Sequence, residues 1–248
     1  METGLDGKVA IVTGGSGGIG LASARALAAE GARIVLADLN AEALATAVAE
    51  LGDGVAVGAV ADVSRPEDAQ RLTDVAVETF GRLDVLVASA GVHRETRLDA
   101  ITPEEWDLLI AVNLRGVFLT AQAALRVMVP QCSGRIVVLG SLSSQTGGLA
   151  ASAAYAASKG GVMTLTKSIA RYCGPYGITS NSINPGIIDS PMTATWPEET
   201  RSRLSADTPL RRLGTVDEVA SVVVFLASDA ASFVHGAHID VNGGILMD

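Results

Sequence analysis

The sequence predicts an α/β fold: a single domain with a doubly wound, Rossmann-like and mostly parallel sheet of seven strands, covered by helices on both faces. Short β-branched runs alternate with longer Ala-rich segments along most of the chain. The strand-like runs are continuously apolar, which is typical of strands buried on both faces. The length of 248 residues and the 48% hydrophobic content suit one large core.

The elements follow one another without a linker, an internal repeat or a low-complexity tract, so we expect one domain over 1–248. Strands are predicted over 8–14, 32–38, 54–62, 83–91, 135–141, 177–186 and 237–244. Helices are predicted over 18–31, 40–51, 64–81, 103–129, 153–174 and 216–228, several of them ending at glycine. The stretch 187–214 breaks this alternation with prolines and mixed charge, and we expect it to form a lid over a substrate site.

Charge and composition exclude several classes of partner. The formal net charge of −9 argues against nucleic acid and against docking on anionic membranes. No signal-like segment starts the sequence and no apolar run reaches the roughly 20 residues of a membrane span, so we expect a cytoplasmic protein. Cys132 and Cys173 show no metal-ligand spacing, and we predict no metal site.

A glycine-rich turn, "VTGGSGGIG", lies between the first predicted strand and helix. Gly14, Gly18 and Gly20 would let the backbone turn tightly and approach a pyrophosphate, which the helix N-terminus would bind. Asp38 ends the second strand, where a carboxylate can accept hydrogen bonds from the adenosine ribose and repel a 2′-phosphate. No basic residue follows Asp38, and position 16 is the neutral Ser16, so NAD is favoured over NADP. Asp38 could also cap the next helix.

Further candidate cofactor residues follow the third and fourth strands, at the same edge of the sheet. Asp62 could reach the adenine or could simply cap the helix after it. Ser89, Ala90 and Gly91 are small enough to leave room for a dinucleotide.

Tyr155 and Lys159 lie four positions apart in "YAASK", on one face of a predicted helix with small neighbours. A phenol with an ordinary pKa of about 10 is a poor base at neutral pH. A nearby ammonium stabilises the phenolate, so we expect Lys159 to lower the pKa of Tyr155. A phenol adjusted in this way can exchange a proton with an alcohol or a carbonyl compound.

The chain resembles the short-chain dehydrogenase/reductase family from about Lys8 to Gly244. "TGGSGGIG" matches the family pattern TGxxxGxG, and "YAASK" matches YxxxK. "VNLRG", "IVVLGS", "NPGIIDSPM" and "HIDVNGG" match further family segments in the same order. The resemblance implies a nicotinamide-dependent oxidoreductase that assembles as a homotetramer through its long helices and last strand.

The resemblance also implies roles for individual residues. Tyr155 would be the general acid/base, Lys159 would assist it and hold the nicotinamide ribose, and Ser141 would bind the substrate oxygen. Asn113 would hold a water in a proton relay; as an alternative it is a core asparagine that distorts the helix. Cofactor contacts are expected at Gly14, Ser16, Gly18, Ile19, Gly20, Asp38, Leu39, Asp62, Val63, Ser89, Ala90, Gly91, Tyr155, Lys159, Pro185, Gly186 and Ile188.

Two departures from the family pattern affect these assignments. The family's NNAG reads "ASAG" here, with Ser89 in place of the second asparagine. The interval from Ser141 to Tyr155 is one residue longer than is usual, so Ser143 competes with Ser141.

Three segments, 92–98, 142–152 and 187–214, are expected to surround a small-molecule substrate. Their candidate contacts are His93, Gln145, Met192 and Trp196, although His93 could instead face solvent.

The sequence therefore leaves three functions to distinguish. The leading one is an NAD(H)-dependent oxidoreductase acting on a secondary alcohol or ketone. The alternative is an NADPH-dependent 3-oxoacyl thioester reductase, whose acidic carrier protein would need a basic patch such as Arg126–Arg135 or Arg211–Arg212. A non-catalytic dinucleotide-binding protein is disfavoured, because such proteins typically lose the tyrosine or the lysine.

Overall fold

The structure, a computed structural model, describes residues 3–148 and 151–247. Its main sheet contains β1 Val9–Thr13, β2 Arg33–Asp38, β3 Ala56–Val60, β4 Val85–Ala88, β5 Gly134–Leu139, β6 Ile178–Pro185 and β9 His238–Val241. A second, two-stranded sheet pairs β7 Ile188–Asp189 with β8 Gly214–Thr215. The helices are α1 Gly18–Ala29, α2 Ala41–Leu51, α3 Pro66–Phe80, α4 Pro103–Ile110, α5 Gly116–Gln131, α6 Ser143–Thr146, α7 Ala153–Cys173, α8 Glu198–Asp207 and α9 Val216–Ala227.

The main sheet confirms the predicted fold class. Its seven strands run in the order β3-β2-β1-β4-β5-β6-β9, and every neighbouring pair is parallel. The chain leaves β1 toward β2 on one side and returns to β4 on the other. The strand order therefore reverses between β1 and β4, and ligands of open α/β sheets bind at such a reversal, beyond the carboxyl ends of the strands.

Two apolar layers enclose this sheet. On one face, Leu27 of α1 packs in a cluster with Val219 and Val223 of α9 and with side chains from the inner strands. On the other face, α3, α5 and α7 contribute Leu72, Met128, Val162 and further side chains to a second cluster. The small residues of the helices allow this close packing, and the two layers fix the strand ends that form the site.

The predicted helix over 103–129 is a continuous helical run with one irregular turn. The segment Ala111–Arg115, between α4 and α5, forms a π-type turn, and Asn113 lies within it. Such single turns are often found at functional sites. By length and mean hydropathy, the run Pro103–Gln131 could cross a membrane. Its buried residues Val117, Ala124 and Met128 belong to the core beside the sheet, and this packing accounts for its apolar character.

β6 is an unusual central strand, because polar side chains occupy much of its fully buried length. Asn181 donates to Val234 O at 2.8 Å and accepts from Ala237 N at 3.0 Å. Ser182 shares a 2.6 Å hydrogen bond with His238 Nδ1. Side chains of β6 thus hold the segment that leads into β9 and part of β9 itself.

Candidate active site

The turn after β1 requires glycine at two positions. Gly14 has a φ of +64°, and a Cβ there would lie 2.9 Å from Ala90 Cα. A Cβ on Gly20, in the first turn of α1, would collide with the Gly14 carbonyl oxygen. The two glycines therefore let α1 begin directly against the end of β1, so that backbone atoms can approach the cleft closely.

Thr13 joins β1 to β4 at the point where the strand order reverses. Its Oγ1 accepts hydrogen bonds from the backbone amides of Ser89 and Ala90, both at 3.1 Å. These two bonds hold the end of β4 in place beside the glycine-rich turn.

A cleft of about 370 Å³ opens above these strand ends. Its lining includes thirteen of the expected cofactor residues: Gly14, Ser16, Gly18, Ile19, Gly20, Asp38, Ser89, Gly91, Tyr155, Lys159, Pro185, Gly186 and Ile188. The start of α1 faces this cleft with free backbone amides and the positive end of its dipole, which suits a pyrophosphate. The shape of the glycine turn and the extent of the cleft fit a dinucleotide.

Asp38 borders the cleft at the end of β2. Its Oδ2 accepts a hydrogen bond from Ser16 N at 3.2 Å, and its Oδ1 accepts one from Asn40 N at 3.3 Å. The cap of α2 is Asn40, whose side chain accepts from Glu42 N and Ala43 N. Asp38 therefore does not cap α2, and its carboxylate borders the cleft beside the glycine-rich turn.

Tyr155 and Lys159 reach the other end of the cleft from the first turns of α7. Ser152 caps this helix by accepting from Tyr155 N at 3.3 Å. Lys159 is 4% exposed, and its Nζ donates to Leu139 O at 2.6 Å. The same Nζ lies 5.9 Å from the centroid of the Tyr155 ring, and the hydroxyl of Ser141 hydrogen-bonds the phenol.

Burial changes the ionisation of both groups. It raises the pKa of Tyr155, and the hydrogen bond from Ser141 only partly opposes this rise. Burial lowers the pKa of Lys159 from 10.5 to about 8. The sequence-based expectation of a lowered Tyr155 pKa is therefore wrong for this arrangement, because removal of the phenolate from water outweighs the favourable contacts.

Asn113 uses its side chain to hold the backbone after β4. Its Oδ1 accepts from Val92 N at 2.8 Å, and its Nδ2 donates to Val92 O at 3.0 Å and to Ser158 Oγ at 3.2 Å. The side chain is fully buried. These contacts give Asn113 a positioning role between the π-type turn, the segment after β4 and α7, whereas the expected water relay stays a prediction.

A smaller cavity of about 100 Å³ adjoins the phenol of Tyr155. It is lined by Ser141 and Tyr155 together with His93, Leu142, Ser143, Thr146, Ala151, Gly186, Ile187, Ile188, Met192, Thr193 and Trp196. Three of the four expected substrate residues are thus present, whereas Gln145 is exposed and lies outside the lining. Within the expected wall 142–152, positions 149 and 150 lie outside the described residues.

Ser141 is better placed than Ser143 to interact with a substrate at the phenol of Tyr155. Ser141 lines both cavities and hydrogen-bonds Tyr155, whereas Ser143 lines only the smaller one. The amide of Ser143 instead donates to Ser141 Oγ at 3.1 Å, which helps to orient that hydroxyl. The geometry therefore favours Ser141.

The comparisons with known proteins agree with this site. The family model described as "Enoyl-(Acyl carrier protein) reductase" matches residues 14–246. An uncharacterized oxidoreductase of Mycobacterium bovis is 40% identical over 245 residues, which covers 98% of this chain and 99% of the relative. The chain belongs to the short-chain dehydrogenase/reductase family. It is an oxidoreductase of that family.

Other relatives of this short-chain dehydrogenase/reductase carry a more specific name. A 3-oxoacyl-[acyl-carrier-protein] reductase of Vibrio cholerae is 39% identical over 246 residues, covering 98% of this chain and 99% of the relative. A reductase of the same name from Escherichia coli is 37% identical over 243 residues, with the same coverage. The crystal structure of gox2181 superposes with a TM-score of 0.93 at 40% identity, covering 97% of this chain and 96% of that one.

Some residues of this dehydrogenase/reductase lie elsewhere than expected. The lining of the large cleft does not include Leu39, Asp62, Val63 or Ala90. Leu39 is 66% exposed at the rim. Asp62 Oδ1 accepts from both Ser64 N and Ser64 Oγ, so that its carboxylate forms the turn before α3. Ala90 packs behind Gly14.

One residue of the site, Thr193, was not predicted from the sequence. Thr193 lines both cavities, and its hydroxyl donates to Ile188 O at 2.7 Å and accepts from Ser190 N at 3.1 Å. Its signal was available, since it follows the recognised segment "NPGIIDSPM" directly. Among the described residues, no group of three or more His, Cys, Asp and Glu side chains could hold a metal ion.

Proposed function

We propose that this protein is an NAD(H)-dependent oxidoreductase that transfers a hydride between the nicotinamide and a secondary alcohol or ketone, with Tyr155 as the general acid/base. The observation that carries this proposal is the cluster of Ser141, Tyr155 and Lys159 at the junction of the two cavities. A dinucleotide in the large cleft and a small alcohol in the second cavity would both reach the phenol.

The side chains of this cluster supply binding and proton transfer. In oxidation, the phenolate form of Tyr155 takes the hydroxyl proton of the alcohol. In reduction, the phenol donates its proton to the carbonyl oxygen and becomes the phenolate. Ser141 hydrogen-bonds the same substrate oxygen and stabilises charge that develops on it. The Lys159 ammonium stabilises the phenolate form of Tyr155. When bound, the nicotinamide cofactor supplies or accepts the hydride.

Asp38 supports the choice of NAD. The glycine-rich turn, Asp38 and the residues near Gly186 would hold the dinucleotide in the cleft. A carboxylate at the rim can accept hydrogen bonds from ribose hydroxyls, whereas a 2′-phosphate there would meet like charge. We expect Asp38→Asn to bind NAD less tightly and to use NADP better than the original protein does.

The second candidate is a 3-oxoacyl thioester reductase that uses NADPH, and the names of the relatives favour it. The basic groups suggested for an acidic carrier protein have internal partners. Arg135 pairs with Asp229 at 3.3 Å, and Arg212 pairs with Glu218 at 2.5 Å. Arg126 donates to Gln70 Oε1 at 2.8 Å. These contacts and Asp38 argue for the first candidate.

The test measures reduced-nicotinamide absorbance with NAD⁺ and, separately, with NADP⁺. The substrates are neutral secondary alcohols, polyols, hydroxysteroids and 3-hydroxyacyl thioesters. We expect NAD⁺ to be reduced in the presence of an alcohol. Turnover only with NADP⁺ and a 3-hydroxyacyl thioester would contradict this and support the second candidate function. The Tyr155→Phe variant should retain NADH binding and lose turnover by about 10²–10⁴-fold. Equal turnover in this variant contradicts the proposed chemistry.

We propose a cytoplasmic homotetramer that uses the outer faces of α5 and α7. Phe118 is 44% exposed and Tyr172 is 58% exposed there, and a groove of about 670 Å³ runs between the two helices. Light scattering coupled to gel filtration tests the assembly, and a monomeric mass would contradict it.

A further inference from the structure

Each of the four residues 92–95, which follow β4, contacts a different part of the site. Val92 is held by Asn113, and His93 lies edge-on to the Tyr155 ring with the centroids 4.9 Å apart. Arg94 O accepts a 2.8 Å hydrogen bond from Ser152 N, at the start of α7. Glu95 then reaches across to the lid. We call the residues 92–95 the strap.

The last of these contacts joins two walls of the substrate cavity. Trp196 lies in the irregular segment between β7 and α8, and its Nε1 donates to Glu95 Oε1 at 2.5 Å. Trp196 and His93 both line the small cavity, so the hydrogen bond connects the strap to the segment 187–214 beside this cavity. The contact is exposed to solvent.

The cavity behind this contact is small and carries few charges. Its volume is about 100 Å³, whereas pockets for larger ligands typically measure about 300–1,000 Å³. Among the residues that the structure describes in its lining, none is Asp, Glu, Lys or Arg. Leu142, Ile187 and Met192 supply apolar walls, so a neutral molecule with short apolar groups matches this surface.

We propose that the Glu95–Trp196 hydrogen bond sets the outer wall of the substrate cavity and selects short, neutral secondary alcohols and ketones over long-chain ones. This inference rests on the proposed function and assigns Trp196 as the specificity-determining residue and Glu95 as its positioning residue. A long alkyl or acyl chain can extend from the carbonyl carbon only where the strap and the lid separate. Rupture of the contact therefore widens the range of accepted chain lengths.

A fluorescence experiment tests the contact without any turnover. The chain has two tryptophans, and the second, Trp106, lies on α4. In a Trp106→Phe background, Trp196 is the only tryptophan, and acrylamide quenching of tryptophan emission reports how accessible it is. We expect Glu95→Ala to raise the quenching constant, and Glu95→Gln, which keeps an acceptor oxygen, to raise it less. An unchanged constant in Glu95→Ala overturns the contact.

Kinetics with straight-chain methyl ketones, from butanone to decanone with NADH, test the selection. We expect Trp196→Ala to raise kcat/KM for decanone relative to butanone by about tenfold or more, since small changes in an apolar pocket are worth about 10–200-fold. The Trp106→Phe protein is the matched control and should keep the original ratio. An unchanged ratio in Trp196→Ala overturns the selection.

The two experiments separate this inference from the proposed function. If the original protein reduces no ketone and oxidises no alcohol, the proposed function fails and the selection fails with it. The quenching result then still decides whether the strap and the lid are joined. If turnover is found and the ratio does not change, only the inference fails.

Discussion

Lys159 carries a charge within the core. Its replacement should therefore remove activity and at the same time stabilise the fold. The side chain is 4% exposed, and burial lowers its pKa from 10.5 to about 8. At pH 7 the folded protein therefore holds an ammonium whose hydration is largely lost. Lys159→Met keeps a side chain of similar length without the charge.

The size of the effect follows from the two pKa values. A change from 10.5 to about 8 corresponds to about 3 kcal/mol of unfavourable folding free energy at pH 7. Loss of the hydrogen bond to Leu139 O opposes the gain by about 1–3 kcal/mol. The net gain at pH 7 is then about 0–2 kcal/mol, and this alone would be a weak test.

The dependence on pH provides the sharper test. Between pH 8 and pH 10.5 the unfolded chain binds more protons at Lys159 than the folded protein does, so the stability of the original protein rises with pH in this window. The lost hydrogen bond does not titrate. The free-energy advantage of Lys159→Met should therefore decrease by about 2–3 kcal/mol from about pH 7 to about pH 10.

Urea unfolding at one fixed protein concentration measures this difference, because assembly makes stability depend on concentration. Lys167→Met is the matched control: Lys167 is exposed on the same helix, and its loss should not stabilise the protein. If the difference between Lys159→Met and the original protein is the same at every pH, the argument from burial is refuted.

Three further predictions concern the same site. Gly14→Ala should abolish cofactor binding and lower the free energy of unfolding by about 2–4 kcal/mol, because the new Cβ clashes and the backbone φ is positive. Gly81→Ala is the control: its φ is +80° but the space around it is open, so only the backbone strain should lower the free energy of unfolding, by about 1 kcal/mol. Asn113→Ala should cost about 2–4 kcal/mol in urea unfolding, because it leaves the backbone of Val92 unpaired; an unchanged midpoint would contradict this. In steady-state assays, the rate of ketone reduction should fall with rising pH and the rate of alcohol oxidation should rise. The reason is that the raised pKa of Tyr155 keeps the phenol protonated at neutral pH. Rates that change with pH in the same direction would refute this assignment of Tyr155.

The sequence predicted the fold almost completely, because strand burial and helix ends are local signals. Continuous apolar runs marked the strands from β1 to β5, whereas the polar β6 was recognised from its place in the alternation of strands and helices. Glycine marked the turn at Gly14, where a side chain has no space. The irregular turn at Asn113 was anticipated only as the alternative of a core asparagine that distorts the helix. Its cause lies in the hydrogen bonds to Val92 and Ser158, which are distant in the sequence. The small sheet of β7 and β8 was not predicted, because strands of two residues are too short to show a recognisable sequence pattern.

The site was predicted less evenly. Motif spacing was sufficient to bring Ser141, Tyr155 and Lys159 together, because one strand end and one helix face determine their positions. The direction of the Tyr155 pKa could not be predicted, since it depends on how deeply the phenol is buried. Asp62 and Gln145 were assigned from their positions along the chain. In the folded protein Asp62 forms a turn before α3, and Gln145 is exposed on α6.

The polar character of β6 has a consequence for the order in which the sheet assembles. A strand rich in buried serine and asparagine gains little from collapse until each side chain finds its partner. The partners of Asn181, Ser182 and Asn184 lie between Val234 and Asp240, more than fifty residues later in the chain. β6 and β9 should therefore gain protection from hydrogen exchange together, as one cooperative unit that forms late, whereas β1, β2 and β4 can form earlier through their apolar contacts.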